Sequence, residues 1–262
     1  KKLELKSDEF LHIAEFCKEL DIEFMSTAFD IPSLNLLRKL GVARLKVPSG
    51  DIDNVPLLEE LSRSKLPLII STGMCSFKDI DYALSILQQP EERDIAILHC
   101  TTEYPCPPED VNLAAMTNLE KHYRKRVGLS DHSSSNEIPA LAVAAGAILI
   151  EKHFTLSNSL EGPDHQASLN PKNFMRMCKK IRMAEKIMGV SEKKPTAIEL
   201  KNKLIVRKSI VAKTPILAGE VFSVSNICMK RPGTGLAGSE WYKILGTLAH
   251  RDYDADEMIE LI

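Results

Sequence analysis

The chain of 262 residues is long enough for one large domain, or for a large domain and a small one. Its hydrophobic fraction of 44% is typical of a soluble globular protein, and its net charge of −2 gives no indication of a nucleic-acid partner. The longest apolar run, residues 138–150, is shorter than the roughly 20 apolar residues that span a membrane, so we expect no membrane-spanning helix.

The cysteines and the N-terminus indicate a cytoplasmic protein. The six cysteines are scattered without a CxxC pair, and a chain of this size does not need disulfides for stability. Lys1 leads directly into a polar helical pattern rather than into the apolar segment of a signal peptide. We therefore expect reduced cysteines in a cytoplasm, and no zinc ribbon.

Strand-like and helix-like segments alternate through residues 1–190. After a first helix with an N-cap at Ser7, the predicted strands are residues 22–27, 43–47, 66–70, 94–98, 126–129 and 147–150. The helices that follow these strands are predicted at residues 31–40, 55–64, 77–88, 110–122, 136–145 and 171–188. Regular alternation of this kind predicts an α/β fold with a parallel sheet.

The ends of the predicted strands favour a closed barrel over an open doubly wound sheet. An open sheet concentrates function at one switch point, whereas a barrel gathers every strand end around one mouth. All six strands end in polar residues that are capable of chemistry: Thr27, Lys46 and Ser49, Ser71, His99 and Thr102, Ser130 and His132, and Glu151 and His153. We therefore predict a TIM (β/α)8 barrel in residues 1–190, whose first two strands would precede Lys1.

The sequence changes in character after Gly189. Residues 191–204 are charged and contain Pro195, which predicts a linker. From residue 205 onward, short β-type runs alternate with turns. A segment of about 60 residues is enough for a small independent module, so we predict a β-rich C-terminal domain at residues 205–262.

Two of the predicted strands end in a histidine, His132 and His153. Each histidine follows a residue that can carry charge, Asp131 and Lys152. Since successive strands lift their last side chains out of the same edge of the sheet, the two imidazoles can meet over one small volume. The pair is therefore a candidate metal site, although two unrelated histidines would give the same pattern.

Eight motifs, in order along the chain, resemble those of the sialic acid synthase family. They are STAFD (26–30), LKVPSGD (45–51), IISTGM (69–74), LHCTTEYPCPPEDVNL (98–113), VGLSDH (127–132), IEKHFT (150–155), GPDHQASL (162–169) and KRPGTG (230–235). The family includes N-acetylneuraminate synthases and relatives that make legionaminic and pseudaminic acids. The resemblance implies a (β/α)8 barrel followed by a small antifreeze-like (SAF, β-clip) domain.

The resemblance also implies an activity and an assembly. Family members are transferases that condense phosphoenolpyruvate with N-acetylmannosamine or a related acetamido-sugar, with C–O cleavage and release of phosphate. They use a divalent metal ion, most often Mn²⁺, with Mg²⁺ and Co²⁺ as alternatives. They form a domain-swapped homodimer in which the SAF domain of one chain caps the barrel of the other.

By resemblance, His132 and His153 match the family's metal ligands. Two neutral imidazoles leave coordination positions open for water and for a substrate oxygen. Phosphoenolpyruvate carries several negative charges, so its site needs a cation and many donors. Lys46 matches the cation, because a lysine on an inward strand is unfavourable without an anionic partner.

The remaining predicted contacts to phosphoenolpyruvate are side-chain hydroxyls and backbone groups that can approach the ligand closely. The hydroxyls belong to Thr27, Ser49, Ser71 and Ser130. Gly50 and Gly73 allow the backbone to approach a phosphate closely. Taken alone, each serine or threonine is better explained as a turn or a helix cap.

Four further positions match family contacts around the sugar. Thr102 and Tyr104 lie where the family contacts the enolpyruvate carboxylate and the sugar, although the family often has asparagine at the first position. Asp51 matches a position that is commonly glutamate and would hold a sugar hydroxyl or assist proton transfer, with helix capping as the alternative. Asp164 would bind the substrate or a metal-bound water, whereas His165 is expected to be structural.

Arg231, in the KRPGTG motif, matches an arginine that reaches the N-acetyl group of the sugar in the active site of the partner chain. The alternative for Arg231 is an exposed loop arginine. The resemblance also places a glutamate and a lysine of the site on the first two strands, ahead of Lys1.

Two other functions remain open at this point. A Kdo- or DAHP-type synthase also joins phosphoenolpyruvate to an aldose, but the C-terminal module and KRPGTG argue against that assignment. A non-catalytic carbohydrate-binding barrel is the second alternative. The sequence does not distinguish between the acetamido-sugars.

Overall fold

A computed structural model describes residues 4–87 and 93–261. The chain divides into two compact units, Lys1–Gly189 and Val190–Ile262. Within the described residues, no helix combines the length and the apolar character needed to cross a bilayer.

The first unit is built on a parallel sheet whose strands follow one another in sequence order. The strands are β1 (Leu45–Val47), β2 (Leu68–Ser71), β3 (Ile95–Cys100), β4 (Arg126–Asp131) and β5 (Ile150–Lys152). Each strand pairs in parallel with the next, in the order β1-β2-β3-β4-β5. This order has no switch point, so the sheet is a half-barrel of the TIM type and not a doubly wound sheet.

Seven helices accompany this sheet among the described residues. They are α1 (Ser7–Glu19), α2 (Ile31–Lys39), α3 (Val55–Ser62), α4 (Phe77–Leu87), α5 (Ala114–Tyr123), α6 (Ile138–Ala144) and α7 (Pro171–Met188). The core lies between helices and strands: Leu58 of α3, Leu87 of α4, and Ile70 and Ile97 of the sheet are fully buried in one apolar cluster. The helices therefore position the strand ends that carry the polar residues.

The helix ends mostly follow the predicted signals. The Asp30 carboxylate accepts a hydrogen bond from the Ser33 amide at 2.7 Å and starts α2, which ends before Gly41 with its positive φ of 71°. The N-cap of α1 is Lys6 and not Ser7, because the Glu9 carboxylate accepts the Lys6 amide. The helix predicted from residue 110 begins only at Ala114, and the predicted end of α4 at Gln88 lies outside the described residues.

Four of the six predicted strands are confirmed, the strand predicted at residues 147–150 begins only at Ile150, and the prediction for residues 22–27 is wrong. This segment has no backbone ladder with β1 in the described part of the chain, and a strand exists only through such bonds with a neighbour. The contact near β1 is instead made by side chains, since Arg44 Nε lies 2.5 Å from Glu23 Oε1.

The second unit contains a helix and a small β structure. Its elements are α8 (Ala197–Val206), β6 (Ser209–Ala212), β7 (Ile227–Lys230) and a short α9 (Trp241–Ile244). Strands β6 and β7 are antiparallel, and Ile210, Phe222 and Tyr253 belong to the buried core of this unit. Much of the predicted linker is helical, because Thr196 and Glu199 form a capping box that starts α8.

Candidate active site

A cavity of about 450 Å³ opens at the carboxyl ends of the strands of the first unit. We call it the strand-end cavity. It brings together ten residues that the sequence predicted for a site: Thr27, Lys46, Ser49, Gly50, Ser71, Thr102, Tyr104, Ser130, His132 and His153. Five further residues line it: Phe29, Pro48, Met74, Cys100 and Glu151. The parallel strands account for this gathering, because their carboxyl ends all meet at one edge.

The two histidines lie side by side in this cavity. The ring centroids of His132 and His153 are 5.3 Å apart. Nδ1 of His132 lies 2.8 Å from the carbonyl oxygen of Thr101, a contact that requires a proton on Nδ1 and leaves the lone pair on Nε2. Nδ1 of His153 lies 3.8 Å from Oδ2 of Asp164.

The environment of His132 favours its neutral form. Burial lowers the pKa of His132 below its ordinary value, although the hydrogen bond to Thr101 acts in the opposite direction. The Tyr104 ring packs against both histidines, with its centroid 4.1 Å from that of His132 and 5.5 Å from that of His153. A neutral imidazole with an exposed lone pair is the form that binds a metal ion.

The lysine of the cavity is buried next to a carboxylate. Lys46 is only 9% exposed, and its Nζ lies 3.4 Å from Oε1 of Glu151. Ser130 Oγ donates to the same carboxylate oxygen at 2.6 Å. Glu151 was predicted only as a polar residue at a strand end, because its contacts with Lys46 and Ser130 depend on the strand register.

One hydroxyl of the cavity has no partner. Ser71 Oγ is buried and makes no hydrogen bond with any described residue. Buried polar groups are nearly always hydrogen-bonded, so such an oxygen on a cavity wall marks a place for a polar ligand atom. Ser49 lies nearby, where its Oγ accepts the Gly73 amide at 2.8 Å.

Four predicted residues do not line the strand-end cavity. Gly73 lies between two lining residues, Ser71 and Met74, and Asp164 contacts the cavity through His153. Asp51 Oδ1 instead accepts the side-chain amide of Asn54 at 2.9 Å, in the turn that leads into α3. Asp51 does not cap α3, whose N-cap residue is Asn54 without a side-chain cap, and Asp51 is not among the residues that line the cavity.

Arg231 belongs to the second unit. Its Nε donates to the carbonyl oxygen of Val206 at 2.9 Å, and the Gly233 amide donates to the carbonyl oxygen of Leu204 at 2.8 Å. The KRPGTG loop is thereby attached to the last turn of α8. His165, which we expected to be structural, bonds through Nδ1 to Oγ1 of Thr155 at 2.8 Å.

The donor set at the histidines fits an open metal site. Among the described residues, no group of three or more His, Cys, Asp and Glu side chains is arranged to hold a metal ion. The chain therefore offers two imidazoles, with Nδ1 of His132 already fixed by Thr101. Outer-shell bonds of this kind orient a ligating histidine, and oxygen atoms of water or substrate would complete the coordination.

Comparisons with known proteins agree with this architecture. The model of the NeuB family matches residues 1–193, and that of the SAF domain matches residues 207–260. An N,N'-diacetyllegionaminic acid synthase from Campylobacter jejuni is 43% identical over 260 residues, which cover 98% of this chain and 78% of that relative.

Two crystal structures share the fold at substantial identity. An N-acetylneuraminic acid (sialic acid) synthetase from Leptospira borgpetersenii, in complex with citrate, is 39% identical, with a TM-score of 0.72 over 76% of this chain and 70% of its own. The spore coat polysaccharide biosynthesis protein SpsE from Bacillus subtilis is 34% identical, with a TM-score of 0.67 over 98% of this chain and 77% of its own.

The half-barrel defines a TIM-barrel-like α/β protein whose candidate active site lies at the carboxyl ends of its strands. The chain belongs to the NeuB family and carries a SAF domain at its C-terminus. The family and the fold predicted from the sequence motifs are confirmed. The individual roles of the site residues stay predictions.

Proposed function

We propose that this protein is a transferase that condenses phosphoenolpyruvate with an acetamido-hexose, consumes one water molecule and releases phosphate, giving a nine-carbon 2-keto acid. The observation that carries the proposal is the strand-end cavity, which joins a buried lysine and an unpartnered hydroxyl to a pair of adjacent histidines. The 43% identity to a synthase of diacetyllegionaminic acid supports the same reaction class.

The anionic donor would bind at the Lys46 end of the cavity. Lys46 is the one lysine or arginine among the described lining residues, so it is the group that can offset the charge of a phosphate or carboxylate. Ser71 offers a free hydroxyl, and Ser49 is held next to it by the Gly73 amide. Hydrogen bonds to a charged oxygen are shorter and stronger than neutral ones, which favours such a cluster for phosphoenolpyruvate.

The acceptor sugar would bind at the histidine end. His132 and His153 would hold a divalent cation, for which we propose Mn²⁺, with Mg²⁺ or Co²⁺ as substitutes. When bound there, such an ion would polarise the aldehyde of the open-chain sugar and make its carbon electrophilic. Tyr104 packs against both rings and restricts their movement, and Asp164 lies beside His153, where it can accept a hydrogen bond from a sugar hydroxyl.

Glu151 would offset the positive charge of Lys46 in the cavity while no donor substrate is bound. Its carboxylate lies 3.4 Å from the Lys46 ammonium and accepts the Ser130 hydroxyl. This arrangement keeps Lys46 and Ser130 on the cavity wall before the donor binds. Preorganised donors of this kind stabilise charge without rearrangement at the moment of reaction.

The acceptor that we propose first is a hexose with two N-acetyl groups. The Campylobacter jejuni relative is named for a diacetylated product. The cavity wall also offers apolar surface for acetyl methyl groups at Phe29 and Met74, whose exposed fractions are 65% and 75%. N-acetylmannosamine is the second acceptor to test, because it differs by a single acetamido group at the ring.

We further propose a homodimer in which the SAF domain of one chain caps the barrel of the other and brings Arg231 to the sugar. Helix α8 supports this assembly, since it has no buried residue. Its exposed large aliphatic residues are Ile198, Leu200, Leu204, Ile205 and Val206. Exposed apolar surface of this extent usually marks an interface. A reducing cytoplasm is the compartment we propose, since all six cysteines are free.

The deciding experiment measures phosphate release by the full-length protein from phosphoenolpyruvate and Mn²⁺. The acceptors are the diacetamido-hexose, N-acetylmannosamine, arabinose 5-phosphate and erythrose 4-phosphate. We expect turnover with an acetamido-sugar and none with the two aldose phosphates. Turnover with an aldose phosphate would favour a Kdo- or DAHP-type synthase, and sugar binding without any turnover would favour a carbohydrate-binding protein.

A further inference from the structure

Asp131 and Lys152 form a buried ion pair across the β4–β5 boundary. The two residues are direct partners in the parallel ladder, and Lys152 Nζ lies 2.7 Å from Asp131 Oδ2. The exposed fractions of their side chains are 1% for Lys152 and 0% for Asp131. Neither side chain lines the strand-end cavity, so the pair lies on the other side of the strand ends.

The pair is also bonded to the backbone that follows His132. Asp131 Oδ1 accepts the Ser133 amide at 2.9 Å, and Lys152 Nζ donates to the Ser133 carbonyl oxygen. The turn after β4 is therefore held on both sides of His132 by the same two side chains. One of these side chains comes from the neighbouring strand, directly before His153.

The ion pair lies at the end of the β4–β5 ladder, directly before both histidines. The ladder between β4 and β5 ends at the pair Asp131–Lys152, and each histidine is the first residue after its strand. The ion pair thus joins the last two paired residues of β4 and β5, directly before His132 and His153. Outside the ladder, the Cys106 amide donates to the carbonyl oxygen of His132, and the Leu169 amide donates to that of His153.

We propose that Asp131 and Lys152 are positioning residues, which fix the distance and orientation of the two imidazoles for a shared divalent cation. This inference rests on the metal site of the proposed function. Stability alone gives little reason for the pair, because a buried ion pair is often no more stabilising than apolar side chains of similar volume. Directed bonds, in contrast, restrict the ends of β4 and β5 to one arrangement.

The informative variant removes both charges at once. Lys152→Met alone leaves a buried carboxylate without a partner, so that variant is expected to be destabilised. The double variant Asp131→Asn with Lys152→Met leaves no uncompensated charge. Two controls accompany it. Lys180→Met breaks an exposed pair with Glu137 of 2.7 Å, and Leu58→Ala weakens the core at a fully buried position of α3.

The first measurement is NMR of the metal-free full-length protein with ¹⁵N-labelled histidine. In the wild type, we expect His132 to give the ring nitrogen shifts of a single tautomer, with the proton on Nδ1. In the double variant, we expect these shifts to move toward the average of two tautomers. The second measurement is a Mn²⁺ titration, in which we expect the Kd to rise by about 10- to 100-fold, as for other outer-shell changes.

Several results would overturn the proposal. The first is that the double variant keeps both the wild-type ring nitrogen shifts of His132 and the wild-type Kd for Mn²⁺. The second is that Leu58→Ala, at an equal loss of Tm, changes the shifts and the Kd as much as the double variant does. A double variant that no longer folds would show that the pair serves the fold itself. If the wild type binds Mn²⁺ but has no synthase activity while the double variant loses binding, the positioning role stands and the proposed reaction fails.

Discussion

Gly73 lies so close to Thr102 that a β-carbon at position 73 would be 2.2 Å from the Thr102 hydroxyl oxygen. The same β-carbon would be 3.0 Å from Ser49 Oγ and 3.2 Å from Cys100 Sγ. The segments that follow β2 and β3 can therefore meet only if residue 73 has no side chain. This contact places the Gly73 amide against Ser49 and forms one wall of the proposed donor site.

The variant Gly73→Ala is expected to lose affinity for phosphoenolpyruvate. The methyl group must displace Thr102 or Ser49, and such overpacking typically costs about 1–3 kcal/mol of stability. Thermal melts and ligand titration measure the two effects. Gly50→Ala is the control for stability, since a β-carbon there meets no atom within 4 Å. Equal Tm values for the two variants would contradict this account of Gly73.

The variants His132→Ala and His153→Ala are expected to lose the bound metal ion while keeping the fold. Each removes one of the two imidazoles that the chain offers, and one remaining imidazole gives too few ligands for tight binding. Metal analysis after gel filtration and circular dichroism measure the result. His122→Ala is the matched control, because His122 is 53% exposed and lies outside the cavity. Unchanged metal content in either active-site variant would refute the site.

The variant Lys46→Met is expected to raise the KM for phosphoenolpyruvate by about 10- to 100-fold, the equivalent of one lost hydrogen bond to a charged group. The KM for the sugar should change little, because the histidine end of the cavity is left intact. Steady-state kinetics with each substrate varied in turn separates the two values. Lys78→Met, at an exposed position of α4, should leave both unchanged. An unaltered KM for phosphoenolpyruvate in Lys46→Met would remove Lys46 from the donor site.

The variant Arg231→Ala is expected to weaken sugar binding selectively. In the proposed dimer this side chain serves the active site of the other chain. A mixture of Arg231→Ala and His132→Ala chains should then regain activity, because one of the two sites in a mixed dimer has both residues. Phosphate release by the co-expressed mixture measures this rescue, with Lys243→Ala as an exposed control. Mixed dimers without activity would argue against an exchanged SAF domain.

The cysteines are expected to react with iodoacetamide in an order set by burial. Burial raises the pKa of the Cys75 thiol to about 11, whereas Cys178 is exposed on α7. Because the thiolate is the reactive form, about one Cys75 side chain in a thousand is reactive near pH 8. The rate at Cys75 should rise about tenfold per pH unit up to its pKa. Peptide mass spectrometry gives both rates, and rapid labelling of Cys75 near pH 8 would contradict the prediction.

Much of the site was predictable because its residues follow strands. Polar residues at the ends of parallel strands must meet at one edge, and Lys46, Ser71, Ser130, His132 and His153 do line one cavity. The same rule could not predict where the Asp51 side chain lies, since a side chain in a tight turn is directed by local hydrogen bonds. It also failed for residues 22–27, where an apolar pattern alone does not supply a pairing partner.

The sequence by itself determined the alternation of elements, the parallel sheet, the separate C-terminal module and the family, because periodicity and short motifs are local properties of the chain. Only the tertiary structure decided that Glu151 joins Lys46 to Ser130 and that Asp131 pairs with Lys152. The physical reason is register: a shift of one residue between strands sends each side chain to the opposite face. No local pattern fixes that alignment, and the contacts between neighbouring strand ends depend on it.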